Sequence, residues 1–228
     1  MILRVGSIPN SASNQRLDRR NFSVAHLVGI KGVGMTALAQ IFKARGIKVT
    51  GSDTAEYFFT QETLKKERIR VYENFEAANI SASCEAVIFS TAYKDDNPEI
   101  QEAKQRGLPL ISYPEALGML MVNPSFTSPY IRGGREGLEP IGIAVCGSHG
   151  KTTITAMLGM IFKEAGLEPK ALIGGRLPQI EANALTGSSK YFILEADEYQ
   201  KKFLKYEPHS IIVTHIDWDH PDTFPAET

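Results

Sequence analysis

The chain has 228 residues, 43% of them hydrophobic and 22% charged, with a formal net charge of −1. That length and balance fit one large or two small domains of an ordinary globular protein. They exclude nucleic-acid binding driven by bulk charge, and no apolar run is long enough to span a bilayer. The two cysteines, Cys84 and Cys146, sit in or beside apolar strand-like runs. They read as small buried hydrophobes in a reducing compartment, not as a disulfide, so the expected location is the cytoplasm.

Taken in chain order, residues 1–22 carry Arg16, Arg19 and Arg20 among Ser, Asn and Gln, without the apolar core of a signal peptide. They are expected to form a flexible N-terminal extension. A short apolar strand then runs from Val24 toward Ile30 and enters Gly29-Ile30-Lys31-Gly32-Val33-Gly34. The following residues Met35, Leu38, Ile41 and Phe42 have helical spacing, and a second strand starts at Ile47 and ends at Gly51-Ser52-Asp53. This is a β-α-β unit, which favours a parallel sheet with right-handed crossovers. Further strands are expected at 85–90 and 108–112. Asn97-Pro98-Glu99 predicts a helix start, with Asn97 as cap and Pro98 in the first turn, and Pro114-Glu115 opens another helix. Residues 23–121 thus form one Rossmann-like α/β domain.

Residues 122–140 mix Pro124, Pro129 and Pro140 with Gly133, Gly134 and Gly137, a composition that predicts a linker. A new strand, Ile141 to Cys146, precedes Gly147-Ser148-His149-Gly150-Lys151-Thr152-Thr153, and Ile154, Met157, Leu158, Ile161 and Phe162 follow at helical spacing. Strand, glycine turn, Lys-Thr and helix in that order describe a phosphate cradle. Backbone N–H groups and the helix N-terminus face an anion, Lys151 reaches terminal phosphates, and the Thr152 hydroxyl suits Mg²⁺. The loop is shorter than the usual P-loop, because Val145 stands where that pattern wants glycine. Three more strands are predicted, at 170–173, 191–194 and 211–214. Residues 141–228 are therefore expected to be part of a P-loop α/β domain of ATPase type.

In open parallel sheets, ligands gather at the carboxyl ends of strands. Here those ends carry the phosphate loop, then Glu195-Ala196-Asp197-Glu198, then His215-Ile216-Asp217-Trp218-Asp219-His220. Thr152 and Glu195 supply hard oxygens for Mg²⁺, and His220 would hold a second metal or its water. Two other readings stay open. One is a transition-metal site of His215, Asp217, Asp219 and His220. The other is a nicotinamide dehydrogenase using the first glycine run, whose order is G-x-x-G-x-G and not G-x-G-x-x-G, with Asp53 placed for a ribose hydroxyl.

Several of these segments agree on one family. Gly29–Met35, Gly51-Ser52-Asp53, Ser90-Thr91-Ala92, Ser112-Tyr113-Pro114-Glu115-Ala116, the phosphate loop, Glu195–Glu198 and Asp219-His220 occur in family order. On these the chain resembles the Mur ligases, ATP-dependent amide-forming enzymes of peptidoglycan synthesis. Within them it resembles the branch that joins L-alanine to UDP-N-acetylmuramate. The resemblance implies that the first domain binds the UDP-sugar through Gly29, Gly32, Gly34, Asp53, Ser90, Thr91 and Ala92. It implies that Gly147, Ser148, His149, Gly150, Lys151, Thr152 and Thr153 hold ATP, and that Thr152, Glu195 and His220 hold Mg²⁺. Lys151, His149, Glu195 and His220 would be the catalytic set, with His149 near the lactyl carboxylate, and Asn183 matches an Asn-Ala pair of the family.

The chain departs from the family pattern at Ser148, usually Thr, and at His215, usually Asn. Tyr199 also occurs in the relative that attaches a recycled tripeptide to the same sugar, so L-alanine and tripeptide both remain as the amine. A non-catalytic nucleotide-binding remnant is a further alternative. The family's third, C-terminal domain is not found in these residues, and the chain is expected to be an N-terminal fragment without turnover of its own.

Overall fold

The computed structural model describes residues 2–4, 22–122, 141–177, 182–197 and 199–218. The predicted linker, His220 and most of the N-terminal extension lie outside the described residues. The elements run β1 (Ile2–Arg4), β2 (Val24–Val28), α1 (Val33–Ala44), β3 (Lys48–Ser52), α2 (Gln61–Lys66), β4 (Arg70–Tyr72), β5 (Ala86–Phe89), α3 (Pro98–Gln105), β6 (Leu110–Ser112) and α4 (Tyr113–Val122). They continue with β7 (Ile141–Cys146), α5 (Lys151–Glu164), β8 (Lys170–Leu177), β9 (Ala182–Thr186), β10 (Tyr191–Glu195) and β11 (Ser210–Val213). The chain divides into two compact units. Among the described residues, one holds 22–116 and the other holds 2–4, 117–122 and 141–218.

In the first unit the five strands are all parallel, in the order β4-β3-β2-β5-β6. The chain starts in the middle at β2, winds outward through β3 and β4, then returns to build β5 and β6 on the other side. The reversal opens a crevice at the carboxyl ends of β2 and β5, the place where doubly wound sheets bind ligands. Both faces of the central strands are covered, so Ala25, Leu27 and Val28 of β2 and Ala86, Val87 and Ile88 of β5 are fully buried. Phe22, placed by the sequence in a loose extension, instead packs edge-on against Phe42 at 5.6 Å.

α3 begins as predicted. Asn97 Oδ1 accepts from the N–H groups of Glu99 (2.9 Å) and Ile100 (3.3 Å), two donors the helix cannot satisfy itself. This start aims Glu99 into the core, where it is wholly buried. Its carboxylate accepts from Asn79 Nδ2 at 2.8 Å and from the Ser52 hydroxyl, and lies 3.4 Å from His26 Nε2. His26 Nδ1 in turn meets Thr50 Oγ1 at 2.9 Å. A buried carboxylate needs several such partners to offset its lost hydration.

In the second unit the order is β1-β11-β7-β10-β8-β9. The inner four strands are parallel, and β1 and β9 close the edges antiparallel. Neither edge strand is predicted from the sequence, and β1 replaces part of the expected flexible extension. α5 covers one face: Thr155, Ala156 and Gly159 are buried and Leu158 and Phe162 pack partly buried against the core, while Met157 and Ile161 are 55% and 59% exposed. The apolar periodicity therefore points two large side chains outward, because the helix lies close to the sheet on its small residues. Among the described residues, no helix is long and apolar enough to cross a membrane.

Candidate functional sites at the carboxyl edges

Because β7, β10 and β11 run parallel, the loops that follow them share one edge of the second sheet. Gly147 leaves β7 with φ of 129°. A β-carbon there would strike the Thr214 hydroxyl and the His215 carbonyl, so only glycine lets the loop lie so close to the end of β11. Ser148 fastens that approach. Its N–H donates to the His215 carbonyl at 2.8 Å, its hydroxyl donates to the Asp217 carbonyl at 2.9 Å, and it accepts from the Asp217 N–H at 2.8 Å. Thr214 Oγ1 adds a bond to the His149 carbonyl at 2.5 Å. The predicted loop is thus held against the end of β11 by backbone and hydroxyl contacts.

Lys151 opens α5, and its ammonium donates to the Gly147 carbonyl at 2.7 Å, lying across the loop. One residue on, Thr152 Oγ1 donates to Glu195 Oε1 at 2.9 Å. The other Glu195 oxygen accepts from the Gly174 N–H at 2.8 Å. Gly174 stands in an irregular stretch of β8. Between the pairs Leu172–Ala184 and Leu177–Ala182, β8 advances five residues while β9 advances two. That bulge turns the Gly174 N–H toward the carboxylate, and a β-carbon there would collide with Glu195. Thr152 and Glu195, named from sequence, therefore touch, one residue along the helix from Lys151. A hydroxyl and a carboxylate oxygen side by side, half-buried beside a phosphate-type loop, fit the few protein ligands Mg²⁺ takes when it keeps waters and phosphates.

The remaining predicted residues fall as follows. Gly150 caps α5 in the left-handed region, and Thr153 is exposed on the first turn. His149 is exposed, its ring lying 6.4 Å from that of His215 and nearly parallel to it. His215 Nε2 pairs with Asp217 Oδ2 at 3.0 Å. Asn183 is buried in β9, opposite the β8 bulge. Among the described residues, no group of three His, Cys, Asp or Glu could hold a metal; Asp219 and His220, half of the alternative transition-metal set, lie outside the described residues. Gly174 and Thr214 are site-shaping residues missed from sequence. Their only signals are a Gly-Gly pair in a strand and a hydroxyl at a strand end.

In the first unit the glycine turn and Ser90 come together at the predicted crevice. Gly29 turns with φ of 82° and donates to the Ser52 carbonyl at 2.8 Å, and the Ser90 N–H donates to the Val28 carbonyl at 3.0 Å. Thr91 and Ala92 are exposed beside them. Gly32 has only ordinary contact where a side chain would go, which leaves its backbone approachable. Gly34 differs from expectation: a β-carbon there would strike the Tyr113 hydroxyl, so this glycine makes room for Tyr113. Asp53 also differs. It is 3% exposed, its Oδ2 accepts from the Lys31 N–H at 2.7 Å, and its Oδ1 accepts from the Thr54 N–H and the Tyr93 hydroxyl, both at 2.9 Å. The carboxylate braces the turn; it does not present an open oxygen to a ribose. Burial first, then the charge of Asp53, pushes the Tyr93 hydroxyl well above its usual range, which keeps it a neutral donor.

Residues 24–123 match the Mur ligase family catalytic domain, and residues 145–227 match the Mur ligase middle domain. The UDP-N-acetylmuramate–L-alanine ligase of Desulfitobacterium hafniense is 41% identical over 200 residues, covering 87% of this chain and 40% of that protein. The ligase of the same name from Aquifex aeolicus is 39% identical, covering 90% and 41%. Among solved structures, UDP-N-acetylmuramate:L-alanyl-gamma-D-glutamyl-meso-diaminopimelate ligase from Neisseria meningitides superposes with a TM-score of 0.74 at 28% identity, covering 90% of this chain and 64% of that one. UDP-N-acetylmuramate-alanine ligase from Thermotoga maritima gives 0.74 at 27%, covering 89% and 44%. The chain spans about two fifths of the length of the curated relatives it matches. With both domain models matched in order along it, the chain belongs to the Mur ligase family.

Proposed function

We propose that this chain supplies the UDP-sugar-binding unit and the ATP-binding edge of a cytoplasmic ligase that joins L-alanine to the lactyl carboxylate of UDP-N-acetylmuramate. The observation that carries the proposal is the meeting of Thr152 and Glu195 at 2.9 Å beside Lys151 and the loop 147–150. A magnesium ion held there by Thr152 and Glu195, with His220 from beyond the described residues, would offset the charge of the bound triphosphate.

The reaction brings together two anions, a carboxylate and a triphosphate. Lys151 lowers their repulsion, and the N–H groups at the start of α5 bind phosphate oxygens. The sugar carboxylate attacks the γ-phosphorus, the bond to the bridging oxygen breaks, and ADP leaves. The amine then attacks the acyl-phosphate carbonyl and inorganic phosphate departs. No protein nucleophile is required; positioning and electrostatics account for the acceleration. His149 is exposed on the loop, and its proposed role is to steer the incoming carboxylate.

A second reading takes the murein tripeptide as the amine, because the Neisseria and Thermotoga structures superpose equally well, each with a TM-score of 0.74. The test of the nucleotide reading is calorimetric titration of the chain with ATP and Mg²⁺ and, separately, with UDP-N-acetylmuramate. Binding of both supports it, and failure of ATP to bind overturns it. Comparing L-alanine with the tripeptide as acceptor in an enzyme of full family length built on this chain separates the two amines.

A further inference from the structure

A lysine inside a glycine-rich turn is ordinarily read as a phosphate ligand. Lys31 is not one, because its side chain is wholly buried and points away from the turn. Its ammonium donates to the Thr54 carbonyl at 2.7 Å and the Glu56 carbonyl at 3.0 Å, and meets Glu73 Oε1 at 3.4 Å. Its backbone is engaged by the same segment: the N–H donates to Asp53, and the carbonyl accepts from the Thr60 hydroxyl. One residue of the turn therefore grips residues 53–60 at four points and reaches Glu73 beyond them. Glu73 Oε1 also accepts from Gln61 Nε2 at 3.3 Å, and Gln61 Oε1 accepts from the Phe58 N–H at 3.0 Å, so the far end of the segment is tied as well.

The held segment carries two large aromatic side chains outside the core. Tyr57 is 73% exposed and Phe59 46% exposed. It leaves the carboxyl end of β3, the edge at which the crevice opens. With both Asp53 oxygens used within the protein, nucleoside recognition needs another surface, and flat aromatic rings supply one for any base.

We propose that Lys31 is a positioning residue that locks the Thr54–Thr60 segment to the glycine turn, fixing Tyr57 and Phe59 as a wall against which the base of a uridine diphosphate packs. Loosening the lock leaves the turn able to bind phosphate but lets the wall move, so affinity falls through lost preorganisation. The proposal rests on the UDP-sugar reading of the first unit.

The test is titration of the 228-residue chain with UDP, together with melting midpoints and amide hydrogen exchange. The Tyr57→Ala/Phe59→Ala chain should bind UDP about tenfold more weakly with its midpoint unchanged, since both rings are exposed. Lys31→Met, and more mildly Thr60→Val, should weaken UDP binding roughly fivefold or more and speed exchange across residues 54–60, with exchange in β2 and α1 unaltered. Should Lys31→Met fail to fold, Thr60→Val carries the same test. UDP binding within twofold of the unmodified chain in these variants overturns the positioning role and leaves the UDP reading intact. Failure of the unmodified chain to bind UDP removes that reading and this proposal with it.

Discussion

Thr152 and Glu195, separated by 43 positions in the sequence, share a hydrogen bond of 2.9 Å at the carboxyl edge of the second sheet. The helix start places the hydroxyl and the end of β10 places the carboxylate; the Gly174 N–H fixes which way that carboxylate turns. Glu195→Gln keeps an oxygen for Gly174 and an amide for Thr152 but removes the charge. It should weaken ATP binding in Mg²⁺ by roughly 10- to 100-fold while changing ATP binding in EDTA little. Calorimetry under both conditions checks this, and an equal loss in both would show that Glu195 does not act through a metal.

Ser148 ties the phosphate loop to residues 215–217 through three hydrogen bonds. Ser148→Ala removes both bonds made by the hydroxyl. ATP affinity should fall several-fold, and Ser148→Thr, which keeps the hydroxyl, should restore it. Titration of the three chains side by side reads the difference.

Tyr93 predicts an alkaline weakness. Its hydroxyl is held protonated above the ordinary tyrosine range by burial and by Asp53. A tyrosine of the unfolded chain loses its proton near pH 10, so above that pH the folded state binds more protons than the unfolded one, and stability falls as pH rises. Below pH 10 the contribution is fully present. The denaturation midpoint should drop more steeply between about pH 10 and 11 in the unmodified chain than in Tyr93→Phe. Parallel curves would contradict the Asp53–Tyr93 bond.

Asn97 caps α3 with a bond to each of two N–H groups. Asn97→Ala should cost about 1 kcal/mol of stability, and Asn97→Asp should recover most of it. Urea denaturation followed by far-ultraviolet circular dichroism measures both, and UDP binding serves to show that the crevice survives.

The strand–loop–helix units were legible because their signals are local: an apolar run, a glycine turn, and apolar residues at helical spacing. The contact of Thr152 with Glu195 was legible for a related reason, since parallel strands carry their loops to one edge. What escaped is non-local. β9 spans five residues and pairs antiparallel across a bulge, so no clean alternation announces it. Lys31 carried no legible role, because its acceptors lie 23 to 42 positions away. Asp53 was expected to face a ribose, because the donors that occupy it come from the turn before it and from Tyr93 after it. On α5, periodicity marked Met157, Leu158, Ile161 and Phe162 as one apolar set; Leu158 and Phe162 pack against the core, whereas Met157 and Ile161 face outward and Thr155, Ala156 and Gly159 are buried.

The proposed chemistry of the second unit depends on a triphosphate bound at Lys151. In the chain carrying Lys151→Met, ATP affinity in Mg²⁺ should fall by roughly 100-fold, the scale of losing charge-assisted contacts, while UDP binding by the first unit stays unchanged. ATP binding that persists at full strength without Lys151 would contradict the phosphate pocket and the chemistry built on it.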